Sequence, residues 1–456
     1  MGRRLAAWIE SGLLMLLGAI GASAQTSVMT APTALPAPSL ATPAMIAPAQ
    51  PPMSALLEIE PQLVGQSVLV EDLNGQVVFE HDADRLFNPA SAIKLATALA
   101  ALDAYGPQHR FVTVVWTDGV LDPQTGTIAG DLIISGRDPS FYYEHAMLIA
   151  YELNRLGVRQ VTGDLVVAPR FTMNFDPSTF RSGRKFRETL DAARRPATAT
   201  RAWREARLAL GDAKGAQTTP NVAVAGEVRV DSVPAGARPL LTHRSSALVD
   251  VLKVLLCYSN NFMAERLGDM LGGVAGLSRY LIAKVGLDPH QLKLASTSGL
   301  GINRLSARAM MKIYRALLAK LAEYKLSPVD IMPVAGIDPG TLQKRYAASP
   351  SRGSVIAKTG TLPRSDGGVS ALVGELRAAN GETLLFVIFN QRGSVARFRH
   401  LQDRLVAALQ QLHGGPAPFE YAPRALAMKL AQTELDASLA NTASDEYEPA
   451  DNRFDQ

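Results

Sequence analysis

The sequence predicts an α+β protein whose sheet is assembled from the two ends of the folded chain, with helices filling the stretch between them. Two observations carry this. Near the start, the β-rich runs 67–70 and 77–79 flank Asn74-Gly75, a dipeptide suited to a tight hairpin because both residues tolerate positive φ. Near the end, 354–357, 368–376 and 383–389 are three consecutive β-rich runs, closed by a helical pattern over 395–412. The stretch between reads mainly as helices, so the first hairpin and the last three strands are expected to share one sheet.

Taken from its start, residues 1–24 read as a secretory signal. Arg3 and Arg4 give the positive end, 13–20 the apolar stretch, and Ala22-Ser23-Ala24 a small-residue cleavage site before Gln25. That apolar stretch is too short to span a bilayer comfortably, which favours cleavage over a retained anchor and predicts a periplasmic protein with no transmembrane anchor. The one cysteine, Cys257, lies far from the cleavage site and has no partner for an internal disulfide. Residues 25–53 hold seven prolines, seven alanines and no charge, the composition of an extended spacer. The remainder up to residue 413 is long enough for a large core and two structural units. Residues 414–456 carry seven acidic side chains between Glu434 and Asp455, with Arg453 the one basic residue among them, and are expected to form an acidic, disordered tail.

Within the folded part, 111–116, 131–134 and 163–167 read as strands and 146–156 as a helix. From 170 to 240 the pattern loosens, with one polar helix over 202–210. Helical patterns return at 246–257, 277–285 and 306–324, the last with Ser306 as N-cap. The formal charge of +4 is spread along the chain, and no dense basic stripe with interleaved aromatics is present, so no nucleic-acid partner is expected. The one basic cluster, 181–207, mixes Arg194, Arg195, Arg201 and Arg204 with Glu188, Asp191 and Glu205 and reads as a solvated helical face.

Chemistry enters at Asn88-Pro89-Ala90-Ser91-Ala92-Ile93-Lys94-Leu95. Proline suits a helix entrance and the residues after it are mostly helix formers, so Ser91 belongs in the first turn with Lys94 one turn later on the same face. A serine hydroxyl is a weak nucleophile until a base removes its proton, and a lysine in apolar surroundings near another cation can lose enough proton affinity to serve. Alone the pattern says little, since Ser182-Gly183-Arg184-Lys185 repeats it. Two later stretches change its weight: Ser259-Asn260-Asn261 after an apolar helix, and Lys358-Thr359-Gly360 on a strand. The seven histidines lack metal-ligand spacing, Cys257 reads as a small core residue, and Gly299-Leu300-Gly301 lacks the strand-to-helix context of a nucleotide loop. No cofactor or metal is expected.

Ser-x-x-Lys, Ser-x-Asn and Lys-Thr-Gly in that order make the chain similar to penicillin-binding proteins and serine β-lactamases. Asp131-Leu132 with Asp138-Pro139, Gly163-Asp164-Leu165-Val166-Val167, Ser298-Gly299-Leu300 with Asn303-Arg304-Leu305-Ser306, and Pro333-Val334-Ala335-Gly336 with Gly340-Thr341-Leu342 narrow the resemblance. They resemble the class C low-molecular-mass penicillin-binding proteins, which are D-alanyl-D-alanine carboxypeptidases and endopeptidases. The resemblance implies a serine β-lactamase/transpeptidase-like catalytic domain over 54–106 and 241–413, an antiparallel sheet flanked by helices, with a smaller domain inserted at 107–240. It implies Ser91 as the acylated nucleophile, Lys94 as its base, Ser259 as proton relay to the leaving amine, and Asn261 as partner of the substrate amide. Lys358 and Thr359 would receive the terminal carboxylate, Gly360 would let the substrate backbone approach, and the backbone N–H groups of Ser91 and Thr361 would form the oxyanion hole. Peptidoglycan stem peptides are the implied substrates and β-lactams the implied covalent inhibitors.

Some positions depart from the pattern. Asn260 stands where aspartate is usual, Ser296-Thr297 where Asp-Gly is usual, Pro339 interrupts Asp-Gly-Thr-Leu, and the insertion is short. Asp176 is the candidate for an acidic contact to the cross-linking amino acid. Two alternatives stand beside the peptidase reading. A β-lactamase-like hydrolase is weakened by the absence of any glutamate between Glu265 and Glu323, and a catalytically silent wall-binding protein of the same fold is disfavoured by three motifs complete in their reactive positions.

Overall fold

A computed structural model describes residues 59–437. The expected signal, the spacer and the last part of the expected tail, 438–456, lie outside the described residues. The chain enters through β1 (Ser67–Asp72) and β2 (Val77–His81), and a 3-10 turn (Ala90–Ile93) opens α1 (Lys94–Tyr105). There follow β3 (Val112–Thr117), β4 (Leu132–Gly136), α2 (Tyr143–Arg155), β5 (Leu165–Val167), α3 (Thr179–Leu190), α4 (Ala197–Ala209), β6 (Val228–Val230) and β7 (Arg238–Arg244). Helices α5 (Leu248–Tyr258), α6 (Asn261–Met270), α7 (Gly273–Ala283) and α8 (Ala307–Glu323) come next, then β8 (Val355–Leu362), β9 (Val369–Arg377), β10 (Thr383–Gln391) and α9 (Val395–Leu412). The described residues close with α10 (Leu426–Ala431) and β11 (Glu434–Asp436).

The two ends of the chain do share one antiparallel sheet, in the order β8-β9-β10-β1-β2. β1 joins β10 in register from Ser67↔Phe389 to Asp72↔Leu384, and the expected hairpin turns through Gly75 at φ +92°. Because successive side chains in a strand alternate between faces, the apolar runs divide between two cores. Val68, Val70, Leu372, Phe386 and Ile388 pack with Leu401, Leu405 and Leu409 of α9. Leu69, Val373, Val387 and Phe389 pack on the other side with α1, α5 and α8. β8 lies at the sheet edge with one side free of a strand partner, and this edge faces the turn that carries Ser91.

A second, six-stranded mixed sheet runs β6-β5-β4-β3-β7-β11, with β5 parallel to both β4 and β6. Ile134, Phe141, Ile149, Leu165 and Phe186 belong to its separate core. Helix α3 falls in the stretch where the sequence pattern loosens. Its buried face mixes the small Ser182, Gly183 and Thr189 with Phe186 and Leu190, and a Cβ on Gly183 would lie 2.4 Å from Val167 Cγ2. Close packing through small residues leaves little apolar periodicity to read.

Residues 414–437 depart from the expected disordered tail. Leu426, Leu430 and Ala431 of α10 are buried, Lys429 pairs with Asp250 at 2.5 Å, and β11 extends the second sheet through Thr242↔Asp436. The acidic composition does not prevent this, because Glu434 pairs with Arg110 at 3.1 Å and the short apolar repeat supplies a face to bury. No helix among the described residues is long and apolar enough to cross a membrane.

Candidate active site

Ser91 sits in the 3-10 turn and Lys94 is the first residue of α1, so Lys94 Nζ and Ser91 Oγ share a hydrogen bond at 2.9 Å. The residue before Ser91, Ala90, has φ +46°, a left-handed conformation that costs a non-glycine residue about 1 kcal/mol or more. Buried Asn88 holds it there. Its Oδ1 accepts from Ala90 N at 3.0 Å, while its Nδ2 donates to Gly301 O at 3.1 Å and to Asp366 Oδ2 at 2.9 Å. Arg304 clamps the same Asp366 through two hydrogen bonds, at 2.7 and 3.2 Å. Gly299, at φ +90°, lies against the Ala90-Ser91 peptide so closely that a Cβ would fall 2.0 Å from Ala90 O.

The second motif occupies the break between α5 and α6. Ser259 terminates α5 in a left-handed conformation, φ +56°, the common way for a helix to stop. Asn260 caps α6, its Oδ1 accepting from Met263 N at 3.1 Å. Asparagine and aspartate cap about equally well, which accounts for the departure from the usual residue. Asn261 then turns its Oδ1 to Lys94 Nζ at 2.7 Å. Pro339 also leaves its surroundings intact: Asp338 forms a buried pair with Lys253 at 2.7 Å and Thr341 N donates to Cys257 O at 2.9 Å, fixing the end of α5.

The third motif lies on β8. Val355 and Ala357 belong to the core under α9 and Ile356 to the opposite one, so alternation sends Lys358 and Gly360 to the helical side. Lys358 Nζ donates to Ser259 Oγ at 2.8 Å and to Thr359 O at 2.7 Å. A Cβ at Gly360 would lie 2.7 Å from Pro89 O and 3.1 Å from Ala90 Cβ, so glycine lets the strand lie against the nucleophile turn. On the outer edge, Ala335 N donates to Val355 O at 2.9 Å and Ala357 N to Pro333 O at 3.3 Å. By the same alternation the backbones of Thr359 and Thr361 face that edge, beyond the end of the 333–335 segment. The Thr361 side chain is turned away, its Oγ1 accepting from Arg399 Nη2 at 3.1 Å, so Thr361 faces the cleft with its backbone.

Ser91, Lys94, Ser259, Asn261, Lys358, Thr359, Gly360 and Thr361 thus converge where the Ser91 turn, the α5–α6 break and the β8 edge meet. Both lysines are fully buried, at 0 % exposure. Lys94 is held well below the ordinary lysine range, first by burial and then by the Lys358 cation, with Glu265 opposing. Burial brings Lys358 down to about 7. Each ammonium raises the cost of the other, so the two amines do not stay charged together, and Lys94, buried against Ser91 Oγ, is the one placed to serve as base once neutral. A neutral amine against a serine hydroxyl, an ammonium beside a second serine, and backbone N–H groups on a strand edge are the parts needed for acyl transfer.

Other residues at the site carry no role in the sequence reading. The Ser298 carbonyl accepts from Lys94 Nζ at 2.5 Å, and the Thr297 carbonyl accepts from Thr97 Oγ1 at 2.7 Å. Ser298-Gly299-Leu300 was visible as a landmark, but a backbone acceptor has no side-chain signature. Thr297 fits where glycine is usual because Gly268 faces it, a Cβ there falling 2.2 Å from Thr297 Oγ1. The second Ser-x-x-Lys copy is structural: Ser182 Oγ accepts from Met173 N at 3.0 Å and donates to Asp176 O at 3.1 Å, and Lys185 pairs with Asp176. Arg181 engages the same carboxylate at 2.8 Å, so Asp176 ties its loop to α3. That loop reaches the site through Phe175, whose ring meets Phe262 edge-on at 6.0 Å.

Among solved structures, a predatory endopeptidase of Bdellovibrio bacteriovorus, Bd0816, has the same fold, with a TM-score of 0.68 and 21% identity over 81% of this chain and 99% of that one. The D-alanyl-D-alanine carboxypeptidase of an Actinomadura species is 27% identical over 468 residues, covering 80% of this chain and 85% of its own. Carboxypeptidase Rv3627c of Mycobacterium tuberculosis is also 27% identical, over 370 residues, 72% of this chain and 77% of its own. The family model for D-Ala-D-Ala carboxypeptidase 3 (S13) matches residues 53–178 and 187–412, spanning all three motifs, and the chain belongs to that family.

Proposed function

We propose that this serine-type D-Ala-D-Ala carboxypeptidase or endopeptidase cleaves the bond after a D-alanine in peptidoglycan stem peptides through an acyl-enzyme on Ser91. The observation that carries the assignment is the 2.9 Å hydrogen bond between Ser91 Oγ and a buried Lys94 amine. Neutral Lys94 takes the Ser91 proton as Oγ attacks the D-alanine carbonyl, and the backbone N–H groups of Ser91 and Thr361 receive the oxyanion. The C–N bond breaks, the leaving amine is protonated through Ser259, and water then hydrolyses the ester, returning Ser91 to its starting state. Asn261 bonds the substrate amide, Lys358 and Thr359 hold its carboxylate, and Gly360 lets its backbone approach. A β-lactam acylates the same oxygen as its strained ring amide opens.

The short apolar stretch at 13–20 and the site at Ala22-Ser23-Ala24 support export to the periplasm with cleavage near Gln25. Residues 107–240 form a unit that tunes which substrates reach the site and supplies no reacting group. The test is the rate of fluorescent-penicillin labelling in Ser91→Ala, Lys94→Arg and Lys358→Arg, each checked for folding. Ser91→Ala and Lys94→Arg abolish labelling, because guanidinium stays protonated, while Lys358→Arg keeps its charge and loses much less. Labelling that survives Ser91→Ala, or falls equally for the two lysine changes, overturns the assignment.

A further inference from the structure

The carboxylate that acts on Lys94 belongs to Glu265, one turn beyond Asn261 on α6. It is half-buried and turned toward the 297–298 segment: Oε1 accepts from Ser298 N at 3.0 Å and Oε2 from Thr297 Oγ1 at 3.0 Å. The same Ser298 presents its carbonyl to Lys94 Nζ. Glu265, Ser298, Lys94 and Ser91 therefore form one chain of hydrogen bonds, with a side chain at each end and a backbone unit in the middle. Thr297 binds this chain more tightly to the helices, since its Oγ1 also contacts Ala264 O at 3.2 Å and its carbonyl accepts from Thr97 on α1. The residue at 297 matters here because its hydroxyl supplies the second ligand to the carboxylate, which glycine, usual at this position, cannot. With both oxygens so engaged, Glu265 is committed to this backbone.

We propose that Glu265 is a positioning residue for the base: it fixes the Ser298 carbonyl against Lys94, and its negative charge raises the pH above which the Lys94 amine is free to accept the Ser91 proton. The charged groups facing Lys94 are Lys358 from β8, which drives the proton off, and Glu265 from α6, which retains it. The pair brackets the base between opposite charges. Burial and Lys358 make the amine neutral but a weaker proton acceptor; Glu265 restores basicity while its hold on Ser298 keeps the amine aimed at Ser91.

The inference rests on Ser91 and Lys94 being nucleophile and base, and the experiment separates the two claims. The rate of acylation by a fluorescent penicillin is followed from pH 4 to 8 for the wild type, Ser91→Ala, Glu265→Gln, Glu265→Ala and Thr297→Val, with thermal melts for each. Glutamine retains an oxygen for Ser298 N but removes the charge. It moves the acidic limb of the profile to lower pH by about one to two units, the effect of one charge roughly 6 Å away at an effective dielectric of about 20. Glu265→Ala also lowers the rate at every pH, by about tenfold or more, as the 297–298 segment loses its anchor. Thr297→Val weakens the anchor without changing charge and slows labelling while leaving the limb in place. If Ser91→Ala still labels, the underlying assignment fails. If it does not label and the limb of Glu265→Gln coincides with that of the wild type, or moves as far in Thr297→Val, the role given to Glu265 is wrong.

Discussion

Raising the pH should switch off carboxylate recognition, while the same loss of charge at Lys358 favours the folded state. Lys358 falls from an ordinary lysine value to about 7 because burial penalises its charge. Its ammonium is therefore mostly present at pH 6, while by pH 8 about one site in eleven still carries it, and each further pH unit removes another factor of about ten. A penicillin presents a carboxylate, so its second-order acylation rate should fall about tenfold from pH 6 to 8 and about a hundredfold by pH 9. A bound carboxylate favours the ammonium, so the same limb lies at higher pH when the ligand is saturating. The folded chain binds fewer protons at this lysine than the unfolded chain between pH 7 and about 10, so its contribution to stability rises with pH there, by about 1.4 kcal/mol per unit. Loss of labelling in that window is thus not unfolding. Lys358→Arg stays charged throughout and should abolish the limb while lowering the plateau. Stopped-flow acylation from pH 5 to 9.5, with melting curves at each pH, decides the matter. A wild-type rate still rising at pH 9, or an unchanged limb in Lys358→Arg, refutes the reasoning.

Three further outcomes follow from the same geometry. Gly360→Ala places a methyl group against Pro89 O and forces β8 away from Ser91; penicillin labelling should drop by about a hundredfold, with a stability loss of about 1–3 kcal/mol in denaturant unfolding. Glu375 is buried with Tyr314 OH as its 3.1 Å donor, and burial raises its carboxyl to about 7. The folded state then holds a proton that the unfolded chain releases from about pH 4.5 upward, so stability is lost as pH climbs to 7; Glu375→Gln should be more stable by about 3 kcal/mol at pH 8 and no different near pH 4. Leu430→Ala on α10 removes a buried side chain and should cost about 2–5 kcal/mol by urea titration, a result that a loosely attached tail would not give.

How much of the fold could be read from the sequence depended on which residues build each buried face. The β1–β2 hairpin announces itself through Asn74-Gly75, α8 through Ser306, whose Oγ accepts from Ala309 N at 3.0 Å, and the last three strands through β-rich runs bounded by turn residues. Where small residues make the contact, as Gly183 does for α3, the periodicity fades although the packing is just as close. In 414–437 the acidic count masked a short amphipathic helix, because composition averages over the Leu426, Leu430 and Ala431 face that decides burial.

The site divides along a similar line. Side chains with distinctive chemistry could be found because their order along the chain is improbable by chance. What holds them could not, since it is largely backbone: the left-handed Ala90 and Ser259, the Ser298 carbonyl on Lys94, and the Thr359 and Thr361 edge. Burial of the lysines was likewise beyond reach of the sequence, and it changes the argument. With both amines out of water, desolvation alone would neutralise either, so it falls to the neighbours to choose which. Lys358 lies beside Ser259, one hydroxyl away from the cleft, while Lys94 feels Lys358 and leans on Asn261 and Ser298. An arriving carboxylate strengthens this asymmetry: it stabilises the Lys358 ammonium, whose repulsion keeps Lys94 neutral. On the proposed roles, binding the carboxylate end of the substrate keeps Lys94 free to take the Ser91 proton, and a ligand without that carboxylate should acylate Ser91 more slowly even when it occupies the same cleft.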